Sequence, residues 1–196
     1  MHDIWSTDDH SLWQRALEAY PEVIERQEVA KLPELDRWYR SELPVTIASR
    51  QPRWIAHDEL VRVTEWKMAR GVWRQRNLIL VRSNEAAAVE ETSRAAFALV
   101  PDPAKPIVAL AKLAGVGPGT ASAVAAAAAP EIYPFFDELV ANQIPGLGPV
   151  DFAMKYYGRY ADALRYRTRQ LGGDWTITLV ERALWSNSGG KAAIQG

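Results

Sequence analysis

The chain has 196 residues and a net charge of −1, with 48% hydrophobic residues, enough for one domain with a substantial core. It contains no cysteine, which excludes disulfides, thiolate metal sites, iron–sulfur clusters and cysteine nucleophiles. The first residues lack the basic stretch and apolar run of a signal peptide. The longest apolar run, 121–129, is too short to cross a bilayer. The expectation is an intracellular protein, cytoplasmic or in the nucleoid or nucleus, with no membrane partner.

The elements read as helices almost throughout. Ser11 can cap a helix over 12–19 that Pro21 ends. Segments 21–29 and 35–43 are further helix candidates, separated by Pro33. Residues 44–54 read as a break, a linker or a substrate-edge loop, because two prolines bracket a β-branched stretch. Residues 57–70 form a helix stopped by Gly71. Around its end, Trp66, Lys67, Arg70, Trp73, Arg74 and Arg76 interleave aromatics with cations, a mixture that can stack on bases and neutralise phosphates. The plainer reading buries the tryptophans and solvates the arginines. It is the favoured one for Trp73, whereas Trp66 and Lys67 fit either.

Ser83 can cap a helix over 84–100, which Pro101 and Pro103 break. Next come a short apolar helix over 106–113, a turn with Gly115, Gly117 and Gly119, and an alanine-rich helix to 129 stopped by Pro130. Pro118 and Thr120 suit the opening of that second helix. Its free N–H groups face the turn, where an anion can bind. Equally, glycine here can serve only to turn the chain and alanine only to let helices pack closely. Another helix starts near 135–141, and the glycine-rich 144–149 is a turn. Asp151 can cap a long helix over 152–171, and Asp174 a last one over 175–185. No strand pair or long repeat is evident. The expected fold is therefore all-α: one helical domain over 1–185, with lobes of about 1–100 and 101–185, and a loose tail over 186–196.

Charge is unevenly spread. Residues 1–60 hold 7 basic and 12 acidic side chains, 61–82 hold 6 and 1, 83–150 hold 3 and 7, and 151–196 hold 7 and 4. The two basic blocks can form one phosphate-binding face if the fold joins them, or remain ordinary solvated helix faces.

The stretch 113–139 resembles the helix-hairpin-helix and following loop of the DNA glycosylase superfamily, the endonuclease III and adenine-glycosylase-like fold. Leu113, Gly115, Val116, Gly117, Thr120 and Ala121 match the hairpin signature, with the hairpin at 107–129. In bifunctional members a lysine precedes the threonine and an essential aspartate follows 18 residues later. Here those places hold Gly119 and Asp137. Ala114 replaces the usual proline, and Phe136 with Glu138–Leu139 departs from the usual surroundings of the aspartate.

The resemblance implies a two-lobed fold and a monofunctional N-glycosylase, with no lyase lysine at position 119 and no iron–sulfur cluster. It assigns Asp137 as the catalytic carboxylate, stabilising an oxocarbenium-like sugar or activating water. Gly115, Val116, Gly117, Gly119 and Thr120 would hold a backbone phosphate, and hairpin carbonyls could hold a monovalent cation. Trp66, Lys67, Arg70, Tyr133 and Phe136 are candidates for the base pocket or phosphate contacts around a flipped nucleotide. The partner would be DNA, with RNA or a nucleoside as alternatives. Asp137 also reads as a plain helix N-cap. A non-catalytic nucleic-acid-binding module and a protein-interaction adaptor are the rival functions.

Overall fold

The computed structural model describes residues 3–191. Among these the chain forms twelve α-helices and no strand, so the all-α expectation holds. They are α1 (His10–Glu18), α2 (Tyr20–Glu25), α3 (Leu32–Arg37), α4 (Leu43–Ala48), α5 (His57–Arg70), α6 (Gln75–Arg82), α7 (Ala86–Phe97), α8 (Lys105–Leu110), α9 (Pro118–Ala128), α10 (Glu138–Ala141), α11 (Met154–Leu171) and α12 (Ile177–Asn187).

Several boundaries differ from the sequence expectation for identifiable reasons. Asp9 rather than Ser11 caps α1, its carboxylate accepting the Ser11 N–H at 2.9 Å. Pro21 opens α2 instead of closing α1, because the first turn of a helix does not need that N–H. The break foreseen from residue 44 begins only after Ala48. Residues 38–42 widen into a π-helical turn in which the Leu43 N–H donates to the Trp38 carbonyl, and Pro44 then falls in the first turn of α4. Helix α11 starts at Met154, which leaves Phe152 in the loop before it. Thr176, not Asp174, caps α12 by accepting the Leu179 N–H at 3.2 Å.

Helix α5 runs over the expected residues. Its start is fixed by the Glu59 carboxylate, which accepts the Ala56 N–H at 2.8 Å and pairs with Arg50 at 2.7 Å. Helix α9 is buried on nearly every face from Gly119 to Ala128. Its alanines let α4, α5 and α8 pack directly against it. Arg53 donates to the Ala128 carbonyl at 2.9 Å, closing the far end of α9.

One hydrophobic core runs from Ile4 to Trp185, with Trp13, Trp66, Tyr157, Tyr160 and Trp185 among its largest fully buried side chains. The first and last described helices meet, since α1 and α2 lie against α12. Arg167 on α11 donates to the carbonyls of Trp5 and Thr7. Helices α7 and α8, on either side of residue 100, pack on each other. Of the tail expected over 186–196, α12 takes up Ser186 and Asn187, and the Gln27 amide donates to the Gly189 carbonyl at 3.1 Å. Residues 192–196 lie outside the described residues. No described helix is long and apolar enough to cross a membrane.

Candidate functional site

A pocket of about 360 Å³ opens where the end of α5, the start of α10 and the loop before α11 converge. The last turn of α5 supplies Lys67 and Arg70, and the segment after it supplies Gly71, Val72 and Arg74. An extended stretch supplies Phe135, Phe136 and Asp137, and Phe152 closes one side. Asn142 and Lys191 complete the wall with Glu138 and Leu139.

Three buried polar contacts hold the extended stretch. The Phe136 N–H donates to Ser122 Oγ at 3.0 Å, Tyr160 donates to the Phe135 carbonyl at 2.7 Å, and Tyr157 donates to the Pro134 carbonyl at 3.3 Å. Helices α9 and α11 thereby fix the backbone that carries Asp137.

Asp137 is 7% exposed. One carboxylate oxygen accepts the Leu139 N–H at 2.8 Å, capping α10, and the other lies 3.4 Å from Arg70 Nη2. Burial raises its pKa above the ordinary carboxylate value, the Arg70 guanidinium opposes that rise, and the nearby Glu181 charge adds to it. Arg70 is fully buried and shared, because Glu181 on α12 also takes its Nη2 at 2.8 Å. The Glu181 carboxylate pairs at 2.9 Å with Arg40, which in turn lies 3.8 Å from Asp36. The pocket carboxylate therefore ends a buried chain of alternating charges reaching across the core. A buried arginine left with one acid would be held tightly by it. Sharing Arg70 with Glu181 leaves Asp137 an incompletely neutralised acid with retained proton affinity.

Lys67 leans along Gly119. A Cβ at position 119 would lie 2.8 Å from Lys67 Cε, 3.5 Å from its Nζ and 3.5 Å from the Phe152 ring. Burial lowers the Lys67 pKa below the usual amine value, Asp137 opposes this, and Arg74 adds to it. Carboxylate, amine, guanidinium and three aromatic rings thus share one wall. That set can move protons, stabilise developing positive charge and hold a flat ring beside an anion.

The structure separates the other sequence candidates. Trp66 is a core residue, contrary to a role in the base pocket. It stacks on Tyr39 at 3.6 Å between ring centroids and donates to Asp36 at 2.9 Å. Trp73, for which burial was favoured, is 49% exposed beside the pocket residues Val72 and Arg74. Of these side chains only Trp73 reverses the favoured reading, since Trp66 fitted either one and Lys67 and Arg70 line the pocket. Tyr133 is buried away from the pocket, donating to the Asp102 carbonyl at 2.7 Å. Gly115 has φ +74°, and a Cβ there would meet the Asn77 carbonyl at 2.5 Å, so this glycine seats the turn on α6. The Asn84 side chain grips the same turn, accepting the Ala114 N–H at 2.9 Å and donating to its carbonyl at 3.0 Å. Val116 and Thr120 are buried. Gly117 is exposed with open space around it.

Sequence reasoning missed Ser122, Tyr160, Glu181 and Asn142, whereas Arg74 of the aromatic–cation cluster does line the pocket. Two of them carried a readable signal: Ser122 is the lone hydroxyl in an alanine run, and Glu181 is an acid among the apolar residues of α12. Among the described residues no group of histidines and acids is placed to hold a metal ion. The turn carbonyls of Leu113, Ala114 and Gly117 accept hydrogen bonds from Val116, Asn84 and Ala121. Comparison of the chain with family models, curated proteins and solved structures returns no match.

Proposed function

We propose that the pocket is the active site of a base-excising N-glycosylase acting on a nucleotide turned out of DNA. The observation that carries this reading is the Asp137 carboxyl, held on a pinned backbone in the wall of an open pocket among Phe136, Phe152, Lys67 and Arg74. An extruded base would lie against the phenylalanine rings, with Trp73 available to stack outside the pocket. Arg74 and Lys191 would face the phosphates, and the open Gly117 backbone offers a further phosphate contact.

The C1′–N bond would break with its electron pair leaving on the base. Positive charge developing on C1′ and the ring oxygen is stabilised by the ionised Asp137. Water then attacks C1′ and gives its proton to the same carboxylate, whose raised pKa suits it as acceptor. RNA or a modified nucleoside would meet the same groups.

A second reading is a nucleic-acid-binding module without chemistry. It is favoured by the engagement of both Asp137 oxygens, one in the α10 cap and one with Arg70. The two separate on duplexes carrying alkylated, deaminated, oxidised and mismatched bases, scored for abasic sites. Excision of any of them supports the first reading. Salt-dependent binding without excision across the panel supports the second. No binding at low salt removes both and leaves a protein-interaction adaptor.

A further inference from the structure

The pocket at the end of α5 carries more positive charge than its acids neutralise. Lys67, Arg70, Arg74 and Lys191 line it together with Asp137 and Glu138, a surplus of +2 in a chain whose net charge is −1. Arg70 is spent inward, 2.8 Å from Glu181 and 3.4 Å from Asp137. Among the described residues no carboxylate holds Lys67, Arg74 or Lys191 in an ion pair, whereas Lys105 sits 3.0 Å from Asp102. Lys67 is the costly one of the three. Its chain runs over Gly119 and is largely shielded from water, and that burial lowers its pKa against the opposing charge of Asp137. A desolvated ammonium without a counter-charge is unfavourable until an anion reaches it. A cleft lined by one sign of charge also focuses its field on such an ion.

The apolar part of the same wall is built from rings. Phe136 is buried, Phe152 is 39% exposed, and their centroids lie 4.9 Å apart. Phe152 and the Lys67 chain both reach the space over Gly119, so ring and amine are neighbours. Asn142 ends α10 with its backbone N–H and leaves its carboxamide to the pocket, where it can donate and accept. The volume of about 360 Å³ falls within the range of about 300–1,000 Å³ that holds a whole small ligand.

We propose that this pocket binds a free nucleoside monophosphate, its base against Phe152 and its terminal phosphate among Lys67, Arg74 and Lys191. The inference rests on the excision reading in placing a nucleotide here, but binding requires no bond to break. A terminal phosphate carries about −1.5 to −2 near pH 7, which matches the surplus of the pocket. A phosphodiester within a strand carries a single charge and follows the backbone, outside a pocket that holds an extruded base. The base stacks on the exposed ring, and the Asn142 carboxamide meets its polar edge. Asp137 does not repel the phosphate strongly, because Arg70 and the α10 cap occupy its two oxygens.

The test is calorimetric titration of the full chain with the four common nucleoside 5′-monophosphates, the matching nucleosides, inorganic phosphate and phenyl phosphate. The expected result is that at least one monophosphate binds about tenfold or more tightly than its nucleoside, as one or two charge-assisted hydrogen bonds supply. The same monophosphate should also bind more tightly than inorganic phosphate and phenyl phosphate. Arg74→Gln, at an exposed position, should shrink the advantage over the nucleoside, and Lys67→Met should shrink it further, while Phe152→Ala should weaken nucleoside and monophosphate alike. Equal binding of nucleoside and monophosphate, no binding of either at millimolar concentration, or phenyl phosphate binding as tightly as any nucleotide overturns the inference. So does an undiminished advantage in a folded Arg74→Gln, Lys67→Met double variant. The ligand series on the unmodified protein decides the point even if a variant fails to fold. Base excision from duplexes without monophosphate binding removes this inference and leaves the excision reading. Monophosphate binding without excision across the damaged-base panel does the reverse.

Discussion

Gly119→Ala separates the stability of this fold from the geometry of its pocket. Gly119 is the second residue of α9, in a region where a side chain is acceptable to the backbone. The added methyl carbon would sit 2.8 Å from Lys67 Cε and 3.5 Å from Phe152. Carbon atoms in contact settle at about 3.5–4.0 Å, so the end of Lys67 must move by about 1 Å. A lysine chain can do this by rotation at little cost. Replacing glycine by alanine where the backbone permits it stabilises by about 0.4–1 kcal/mol. At roughly 2–4 °C per kcal/mol for a chain of this size, the melting temperature rises by about 1–4 °C. A misplacement of about 1 Å at a reacting group can cost about 100-fold in rate. The assay pairs thermal melting with single-turnover release of base from a damaged duplex. The expected outcome is a protein as stable as wild type or slightly more so, with base release slowed because Lys67 and Phe152 shift in the pocket wall beside Asp137. Base release at the wild-type rate would refute the placement of these two side chains against the reacting nucleotide. A clear loss of stability would refute the claim that the one close contact at position 119 is with a mobile side chain.

The two tryptophans flanking the end of α5 should behave oppositely. Trp66→Ala removes a ring from the core and should cost about 3–5 kcal/mol in chemical denaturation. Trp73→Ala should leave stability unchanged and weaken single-stranded oligonucleotide binding by about 1–3 kcal/mol, read as a rise in Kd. The turn glycines should also divide. Gly115→Ala drives a Cβ to 2.5 Å from the Asn77 carbonyl at positive φ, a cost of about 2–5 kcal/mol from overpacking and backbone strain. Gly117→Ala meets nothing and should melt as wild type, while its binding to duplex DNA becomes weaker at fixed salt. Finally, burial holds the Asp137 pKa above its ordinary 3.8. The folded state binds that proton more tightly than the unfolded state, so the stabilisation is complete below 3.8 and is lost as pH rises through the folded pKa. The melting temperature of wild type minus that of Asp137→Asn should therefore fall as pH is raised through that window. A rise would mean that Arg70 outweighs burial.

Local chemistry made part of this molecule legible. Gly71 marks the end of α5, and Pro130 follows the α9 alanine run, because backbone freedom and the missing proline N–H act within a few residues. The widened turn before Pro44 was not legible, since proline at the start of a helix and proline ending one look alike without the preceding hydrogen bonds. The exposure of Trp73 and the burial of Trp66, which had fitted either reading, were hard to read for a similar reason. Aromatic and cationic residues alternate there, and only the neighbours Tyr39 and Asp36 show which tryptophan turns inward. The sequence marks Asp137 as a helix cap and a candidate acid. Its electrostatic setting depends on Glu181 holding Arg70 across 111 positions of chain, and no local pattern records that. Lys67 over Gly119 is equally non-local, joining α5 to α9 through a side chain that is absent.

The central claim is that the Asp137 pocket excises a base. Single-turnover release of base from a damaged duplex by wild type and by Asp137→Asn, at equal protein concentration and saturating binding, tests it most directly. Asparagine keeps the cap of α10 and removes only the charge. The account predicts that wild type generates abasic sites and that Asp137→Asn binds the same duplex with its excision rate reduced by about 100-fold or more, as expected for loss of a positioned acid–base group. Excision at the wild-type rate by a folded Asp137→Asn would contradict it.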